Sequence, residues 1–135
     1  MTENDSARLE PDLGQLPFCY VTTTGRRTGK PRRIEIWFAA HPERRVIYLL
    51  SGGRERSDWV RNLRDNARCT VEIGEQMFTG MGRVVTSAEE DALARKLVFE
   101  KYRHDDDLKA WRVSALPVAI DLIGSRIVSS GSSDL

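Results

Sequence analysis

The feature that most constrains this sequence is a pair of strand-like segments joined by a turn-forming stretch. Residues 18–23 are rich in β-branched and aromatic side chains, and residues 33–40 alternate between apolar and polar side chains. Such alternation is typical of a β-strand with one face in the core. Residues 25–31 between them hold two glycines and a proline, which favour a turn. The segment therefore predicts a β-hairpin with a long tip, on which Glu35 faces solvent.

The strand pattern recurs along the rest of the chain. Further strands are predicted at residues 46–50, 69–73, 77–85 and 118–124. The first of these is apolar throughout, so it is expected at the centre of the sheet. Gly80 and Gly82 would permit bends or bulges in the strand that contains them. Because hairpin connections dominate, a mostly antiparallel sheet is expected, and its six strands suit a small barrel.

Two helices are predicted between the strands. Ser57 has the character of a helix N-cap, followed by an apolar stripe that would face the core. Ser87 and Glu90 have the spacing of a capping box, which predicts a second helix with Leu93 and Leu97 on its buried side.

Composition and charge exclude several classes of function. The 135 residues suit an N-terminal arm or short leading helix over residues 1–15 and one folded domain over residues 16–135. The net charge of +1 predicts no nucleic-acid partner. The sequence has no apolar run long enough to span a membrane, and it has no signal-peptide pattern. A cytoplasmic protein is therefore expected. Cys19 and Cys69 are expected to be buried thiols, and the two well-separated histidines predict no metal site.

Positive charge is concentrated at the predicted hairpin tip. Five basic residues occur within eight positions: Arg26, Arg27, Lys30, Arg32 and Arg33. A bound anion would relieve their mutual repulsion, and the two nearby glycines would let backbone N–H groups approach it. Arginine suits this role because its planar fork binds phosphate and carboxylate bidentately. A solvated charged loop explains the same composition without a ligand, and a nucleic-acid contact is a third, weaker interpretation.

Other candidate residues follow the strand at residues 46–50. Ser51 and Gly52 begin a turn that could direct N–H donors toward an anion or a polar ring edge, or could be purely structural. Trp59 and Asn62 share one helix face, where the tryptophan could stack on a flat ring or belong to the core. The remaining candidates for a pocket wall are Glu35, Trp37, Tyr102 and Trp111. No pairing of nucleophile and base is evident, so an enzyme of this sequence would depend on an organic cofactor.

Two motifs resemble the deazaflavin-dependent nitroreductase family. Residues 22–32 read TTTGRRTGKPR, which is similar to the first signature of that family. Residues 59–66 read WVRNLRDN, which is similar to its second conserved block. The resemblance covers residues 18–85. It implies a split β-barrel, mainly β with flanking helices, of six to seven mostly antiparallel strands and two to three helices.

The resemblance also implies a cofactor, coenzyme F420, which is a deazaflavin with a phosphodiester and an oligoglutamate tail. Carried over by position, the basic tip would contact the anionic groups, the turn after residue 50 would lie by the ring, and the following helix would add further contacts. The cofactor-binding residues are then Arg26, Arg27, Lys30, Arg32, Ser51, Gly52, Trp59 and Asn62, of which Lys30 comes from the charge argument alone.

The implied function is hydride transfer from reduced F420 to a small electron-poor substrate, such as a quinone, an activated alkene or a nitro compound. Water, Tyr102 or a backbone N–H would supply the proton. Two alternatives stay open: an FMN-dependent oxidoreductase of the same fold, and a non-catalytic protein that binds a cofactor or another ligand. Because relatives of this barrel often dimerise across the cofactor site, the resemblance also suggests a homodimer.

Overall fold

A computed structural model describes residues 9–103 and 114–127 of the protein. The predictions for residues 1–8, for Trp111 and for the chain beyond residue 127 lie outside this part. Seven strands and three α-helices occur within it. In chain order they are α1 (Pro11–Gly14), β1 (Cys19–Thr24), β2 (Pro31–Ile36), β3 (Ala39–Ala40), β4 (Val46–Ser51), α2 (Asp58–Asp65), β5 (Arg68–Ile73), β6 (Gln76–Val84), α3 (Ala88–Lys101) and β7 (Leu116–Ile127).

The strands form one antiparallel sheet in the order β2-β1-β5-β6-β7-β4-β3. The predicted hairpin is present, with β1 and β2 paired from Cys19 opposite Ile36 to Thr24 opposite Pro31. The sheet curls into a half-barrel, and in the described part of the chain its two end strands do not pair. The prediction of a split β-barrel with flanking helices is therefore confirmed.

Strand β4 is buried along its whole length, but the prediction that it lies at the centre of the sheet is wrong. It is the second strand from one edge, between β7 and β3. Ile47 and Leu49 belong to the core inside the curl, whereas Tyr48 and Leu50 belong to a second core on the outer face. Helix α3 covers that outer face and contributes Val98 to it. A strand near an edge can therefore be apolar on both faces.

Two strand boundaries differ from the sequence prediction. Residues 33–40 do not form one strand, because β2 ends at Ile36 and two residues without strand structure precede the short strand β3. The last strand is longer than predicted and reaches Ile127, which pairs with Gln76 at the far end of β6. The predicted irregularity in β6 is confirmed as a register shift between Thr79 and Gly80.

The predicted capping box of Ser87 and Glu90 forms only in part. Ser87 Oγ accepts a hydrogen bond from the backbone N–H of Glu90 at 3.0 Å, as expected of an N-cap. The Glu90 carboxylate does not return the bond to Ser87, because it binds Arg83 and Tyr48 instead. The buried face of α3 is also shifted: Ala94 and Val98 are fully buried, whereas Leu93 and Leu97 pack beside them half-buried.

Helix α2 packs tightly against the concave face of the sheet. Its Val60 and Leu63 are buried in the inner core. A Cβ at Gly82 of β6 would lie 2.8 Å from Leu63 Cδ1, so the glycine allows this close approach. Because α2 also contacts β1, its first two turns lie beside the hairpin tip. The two motifs of the sequence are thereby brought together.

Candidate functional site

The hairpin tip is a tight six-residue loop between Thr24 and Pro31. The backbone N–H of Gly25 donates to Lys30 O at 2.8 Å, and the N–H of Gly29 donates to Gly25 O at 2.8 Å. Gly29 has a φ of 75°, which side chains other than glycine rarely adopt. These bonds fix the direction in which the basic side chains leave the loop.

A buried asparagine joins the tip to helix α2. Asn62 is 3% exposed, and its Oδ1 accepts hydrogen bonds from the Arg26 backbone N at 3.2 Å and from Arg26 Nη1 at 2.9 Å. Its Nδ2 donates to Thr23 Oγ1 at 3.1 Å. The Asn62 amide therefore holds the first arginine of the tip in one orientation, since both ends of the amide are bound within the protein.

The other edge of the same guanidinium meets a carboxylate. Arg26 Nη2 donates to Asp58 Oδ1 at 3.2 Å, while the Arg26 and Asp58 side chains are 21% and 85% exposed. Asp58 is the first residue of α2. Its largely exposed carboxylate therefore lines the space between helix and hairpin.

That space is a cleft of about 630 Å³ between the hairpin and α2. We call it the basic cleft. Its twelve lining residues are Thr23, Gly25, Arg26, Arg27, Thr28, Pro31, Arg32, Arg33, Ile34, Asp58, Trp59 and Asn62. Four are arginines and one is an acid, so the cleft carries a strong excess of positive charge.

The arginines of the basic cleft differ in their partners. Arg33 donates to Glu72 Oε1 at 2.7 Å and lies over the Tyr20 ring, on the outer side of the hairpin. Arg27 and Arg32 are exposed, and no carboxylate of the described residues lies within ion-pair distance of either. These two guanidinium groups are therefore available to an external anion.

One wall of the basic cleft is apolar. Trp59 is half-buried and packs against the inner core, and so does Ile34 of β2. Ile34 was not among the candidate residues predicted from the sequence, so its place in the cleft was missed. An indole and an aliphatic side chain beside a cationic surface suit a flat ring that carries anionic substituents.

Three of the predicted binding residues do not line the basic cleft. Lys30 is exposed at the end of the tip. Ser51 is buried, and its Oγ lies 2.9 Å from Arg54 O and 2.7 Å from Ser57 Oγ. Gly52 follows in the exposed turn. The bond to Ser51 also explains why Ser57 precedes α2 as its N-cap without a side-chain capping hydrogen bond.

Tyr102 lies apart from the basic cleft, at the end of α3. Its hydroxyl accepts from the Phe38 backbone N at 3.1 Å and lies 2.8 and 3.0 Å from the carbonyl oxygens of Pro17 and Phe38. Its ring stacks on Trp37 at 4.7 Å. Burial raises the pKa of Tyr102 to about 12. These contacts are those of a structural hydroxyl.

The place of Asp58 in the basic cleft was not predicted from the sequence. Aspartate is common in the first turn of a helix, where it interacts with the helix dipole, so its position along the chain does not indicate a binding role. Only the approach of the hairpin to α2, which brings Arg26 to within 3.2 Å, identifies Asp58 as part of the basic cleft.

Both cysteines lie in the core of the protein. Cys19 and Cys69 are both buried and free, and burial raises the pKa of these thiols to about 12 and about 11. The prediction of two buried thiols is therefore confirmed. None of the helices within residues 9–103 and 114–127 has the length and apolar character needed to cross a bilayer.

Solved structures with the same fold come from several bacteria. A conserved hypothetical protein of Mycobacterium tuberculosis is 21% identical with a TM-score of 0.68, over 85% of this chain and 79% of that one. A protein assigned as a pyridoxamine 5′-phosphate oxidase of Listeria innocua is 16% identical with a TM-score of 0.65, over 87% and 93%. The heme storage protein of Vibrio cholerae is 15% identical with a TM-score of 0.70, over 89% and 94%. At these identities the similarity shows the fold.

The sequence itself shows the family. The profile described as "F420H(2)-dependent quinone reductase" matches residues 1–122. That range contains both signature motifs and every residue that lines the basic cleft. The resemblance to deazaflavin-dependent reductases is therefore confirmed, and with it an oxidoreductase activity. The chain belongs to the F420H2-dependent quinone reductase family.

Proposed function

We propose that this protein binds reduced coenzyme F420 in the basic cleft and reduces a small quinone. The observation that carries the proposal is the pair of exposed arginines, Arg27 and Arg32, that lack a carboxylate partner in the described chain. They lie beside an apolar wall in a chain whose family is defined by dependence on F420H2. Activated alkenes and nitro compounds are further acceptors of the same electronic character.

The residues of the basic cleft fit the chemical groups of this cofactor. Arg27 and Arg32 would hold the phosphodiester and the glutamate carboxylates, because a guanidinium fork matches both. Arg26 would add a third donor, and Lys30 at the end of the tip would extend the positive surface. Trp59 and Ile34 would contact the flat ring. Asn62 would act indirectly, by holding Arg26.

When bound, the reduced deazaflavin supplies the hydride. The protein's part is to bind and orient its partners, since among the described residues that line the basic cleft none is a histidine, cysteine, lysine or tyrosine. We therefore assign the proton that completes quinone reduction to water. The hydroxyl of Tyr102 is bound to backbone groups elsewhere, which argues against it as the donor.

An FMN-dependent enzyme of the same fold is the second candidate. This alternative stays open because the chain shares its fold with the Listeria innocua protein assigned as a pyridoxamine 5′-phosphate oxidase. FMN has a phosphate but no oligoglutamate tail, so a single arginine fork would satisfy it. The larger number of available cations at the tip favours F420.

A fluorescence titration with F420 and, in parallel, FMN tests the proposal. We expect a micromolar or tighter Kd for F420, much weaker binding of FMN, and quinone reduction by the loaded protein. Preference for FMN would mean that FMN is the cofactor and that the basic cleft is its binding site. Binding of F420 without turnover of any quinone would favour the non-catalytic binder.

A further inference from the structure

Asp58 is an unexpected residue in the basic cleft. Its carboxylate is the only acid among the lining residues described. The side chain is 85% exposed, and its one hydrogen bond within the described chain is the 3.2 Å contact from Arg26 Nη2. The Asp58 side chain is therefore held in the cleft only by its ion pair with Arg26.

Arg26 is fixed independently of this partner. Its Nη1 donates to Asn62 Oδ1 at 2.9 Å, and Asn62 is nearly inaccessible to solvent and bound to Thr23 as well. If Asp58 moved away, the Arg26 guanidinium would keep its position and present the Nη2 edge to the cleft. The pair is thus asymmetric, with one anchored member and one movable member.

The movable member has the chemistry of the ligand. A carboxylate on an arginine fork is the same interaction that a glutamate of the tail would make, and it closely resembles that of a phosphate oxygen. Exposed ion pairs are weak, so an incoming anion can replace this one. We propose that Asp58 is a displaceable internal anion that sets the affinity and selectivity of the basic cleft. The inference rests on the proposed function and deepens it.

The expected consequence is a preference for ligands with several anionic groups. A neutral ligand has no means of displacing Asp58. A ligand with one anionic group exchanges one carboxylate for another at Arg26 and also meets the repulsion of the displaced acid. A polyanion gains, in addition, the contacts of Arg27 and Arg32, so only it binds with a clear net advantage.

The test compares wild-type protein with Asp58→Asn, which removes the charge and keeps the shape. The probes are F420 and its chromophore without phosphate or tail, titrated by fluorescence at low and high ionic strength. Asp58→Asn should tighten the Kd for F420 by about 1.5-fold to fivefold, the range expected for one exposed charge pair. The gain should shrink at high ionic strength, and binding of the chromophore without phosphate or tail should not change.

Two further variants control for other effects of the substitution. Glu55→Gln removes a nearby exposed charge that does not line the basic cleft, and it should leave the Kd for F420 unchanged. Asp58→Glu keeps the charge and should bind F420 as the wild type does. An equal gain for the chromophore without phosphate or tail, or for Glu55→Gln, would overturn the inference.

The failures of the two proposals are distinguishable. F420 binding that is equal in wild type and Asp58→Asn would overturn the role of Asp58 and leave the proposed cofactor in place. Absence of F420 binding by the wild-type protein would overturn the proposed function, and the inference with it. Thermal unfolding of each variant verifies that the compared proteins are folded.

Discussion

Arg83 on β6 and Arg32 on β2 belong to the same sheet, but their surroundings differ in the supply of carboxylates. Arg83 donates to Glu90 Oε1 at 2.7 Å and to Asp121 Oδ2 at 2.8 Å, and Tyr48 also donates to Glu90 at 2.8 Å. We call this set the Arg83 cluster. Arg32 and its neighbour Arg27 have no comparable partner among the described residues.

The contrast separates an arginine whose acid partners belong to the fold from arginines that the proposed function assigns to a ligand. The Arg83 cluster joins β6, β7 and α3 across the outer core, so its acids are part of the fold. At the hairpin tip the arginines repel one another, which disfavours the compact loop. Arg27 and Arg32, which a tightly bonded loop presents without acid partners among the described residues, fit the external anion of the proposed function.

The largest expected effect comes from removing the charges at the tip. The double variant Arg27→Ala/Arg32→Ala should weaken F420 binding by about a hundredfold or more, because each charge-assisted hydrogen bond contributes about 1.5–3 kcal/mol. Its free energy of unfolding should stay within about 0.5 kcal/mol of the wild type, as both side chains are exposed. Fluorescence titration and chemical denaturation measure the two quantities.

A matched control is available on helix α2. Arg61 and Arg64 are exposed and line no part of the basic cleft, so their double alanine variant removes the same charge. It should bind F420 almost as the wild type does. Equal loss of affinity in both double variants would mean that net charge alone attracts the ligand, and the contrast with the Arg83 cluster would lose its meaning.

Asn62 connects the two sides of the comparison, because it is structural and holds a binding residue. Asn62→Ala leaves the buried Thr23 hydroxyl and the Arg26 N–H without their partner, which should lower the free energy of unfolding by about 2–3 kcal/mol. Because Arg26 loses its anchor, F420 affinity should also fall, by about tenfold. The exposed Asn66→Ala is the control, and it should change the affinity little.

Arg83→Met should have the opposite profile. Loss of the Arg83 cluster should lower the free energy of unfolding by about 1–2 kcal/mol, since the side chain is partly exposed, and leave F420 affinity unchanged. Arg83 holds the pKa of Glu90 below its ordinary value. The stabilisation is therefore present above the ordinary glutamate pKa and is lost as the pH falls through the lowered one. Denaturation of both proteins across acidic pH should show the difference shrinking.

The contrast was only partly visible in the sequence. The density of arginine at residues 26–33 predicted an anion-binding tip, and local patterns predicted the hairpin and both main helices. The sequence could not reveal which arginines meet acids, because Asp58 and Asn62 are more than thirty positions from Arg26 along the chain. Such pairs depend on the order of strands, which no local pattern specifies.

Tertiary contacts also overrode two local rules. Glu90 occupies the capping-box position, yet its carboxylate binds Arg83 because β6 brings that guanidinium to within 2.7 Å. Residues 46–50 have the pattern of a central strand, yet β4 is the second strand from one edge of the sheet. Its outer face is apolar because helix α3 covers it. Burial was predictable from apolar character, whereas the identity of the covering element was not.

Lys101 is a third kind of cation, one that is half-buried and meets no acid in the described chain. Its Nζ donates to the carbonyl oxygens of Leu16 and Phe38 at 2.7 Å each, and burial lowers the pKa of the ammonium to about 8. The unfolded chain keeps this proton up to an ordinary pKa near 10.5. Between these values the unfolded state binds more protons, so rising pH favours the folded state.

Lys101→Met removes this titration and nothing else that ionises. The free energy of unfolding of wild type minus that of Lys101→Met should be constant below about pH 8 and should increase from there toward pH 10.5. Urea denaturation of both proteins across this range measures it, and Lys96→Met, on the exposed side of α3, should give a flat difference. A flat difference for Lys101 as well would mean that water reaches its ammonium, placing it with the solvated cations of the tip. A rising difference would mean that the fold holds the Lys101 ammonium partly desolvated, with two carbonyl oxygens as its partners. The fold would then contain cations without acid partners both at α3 and at the hairpin tip.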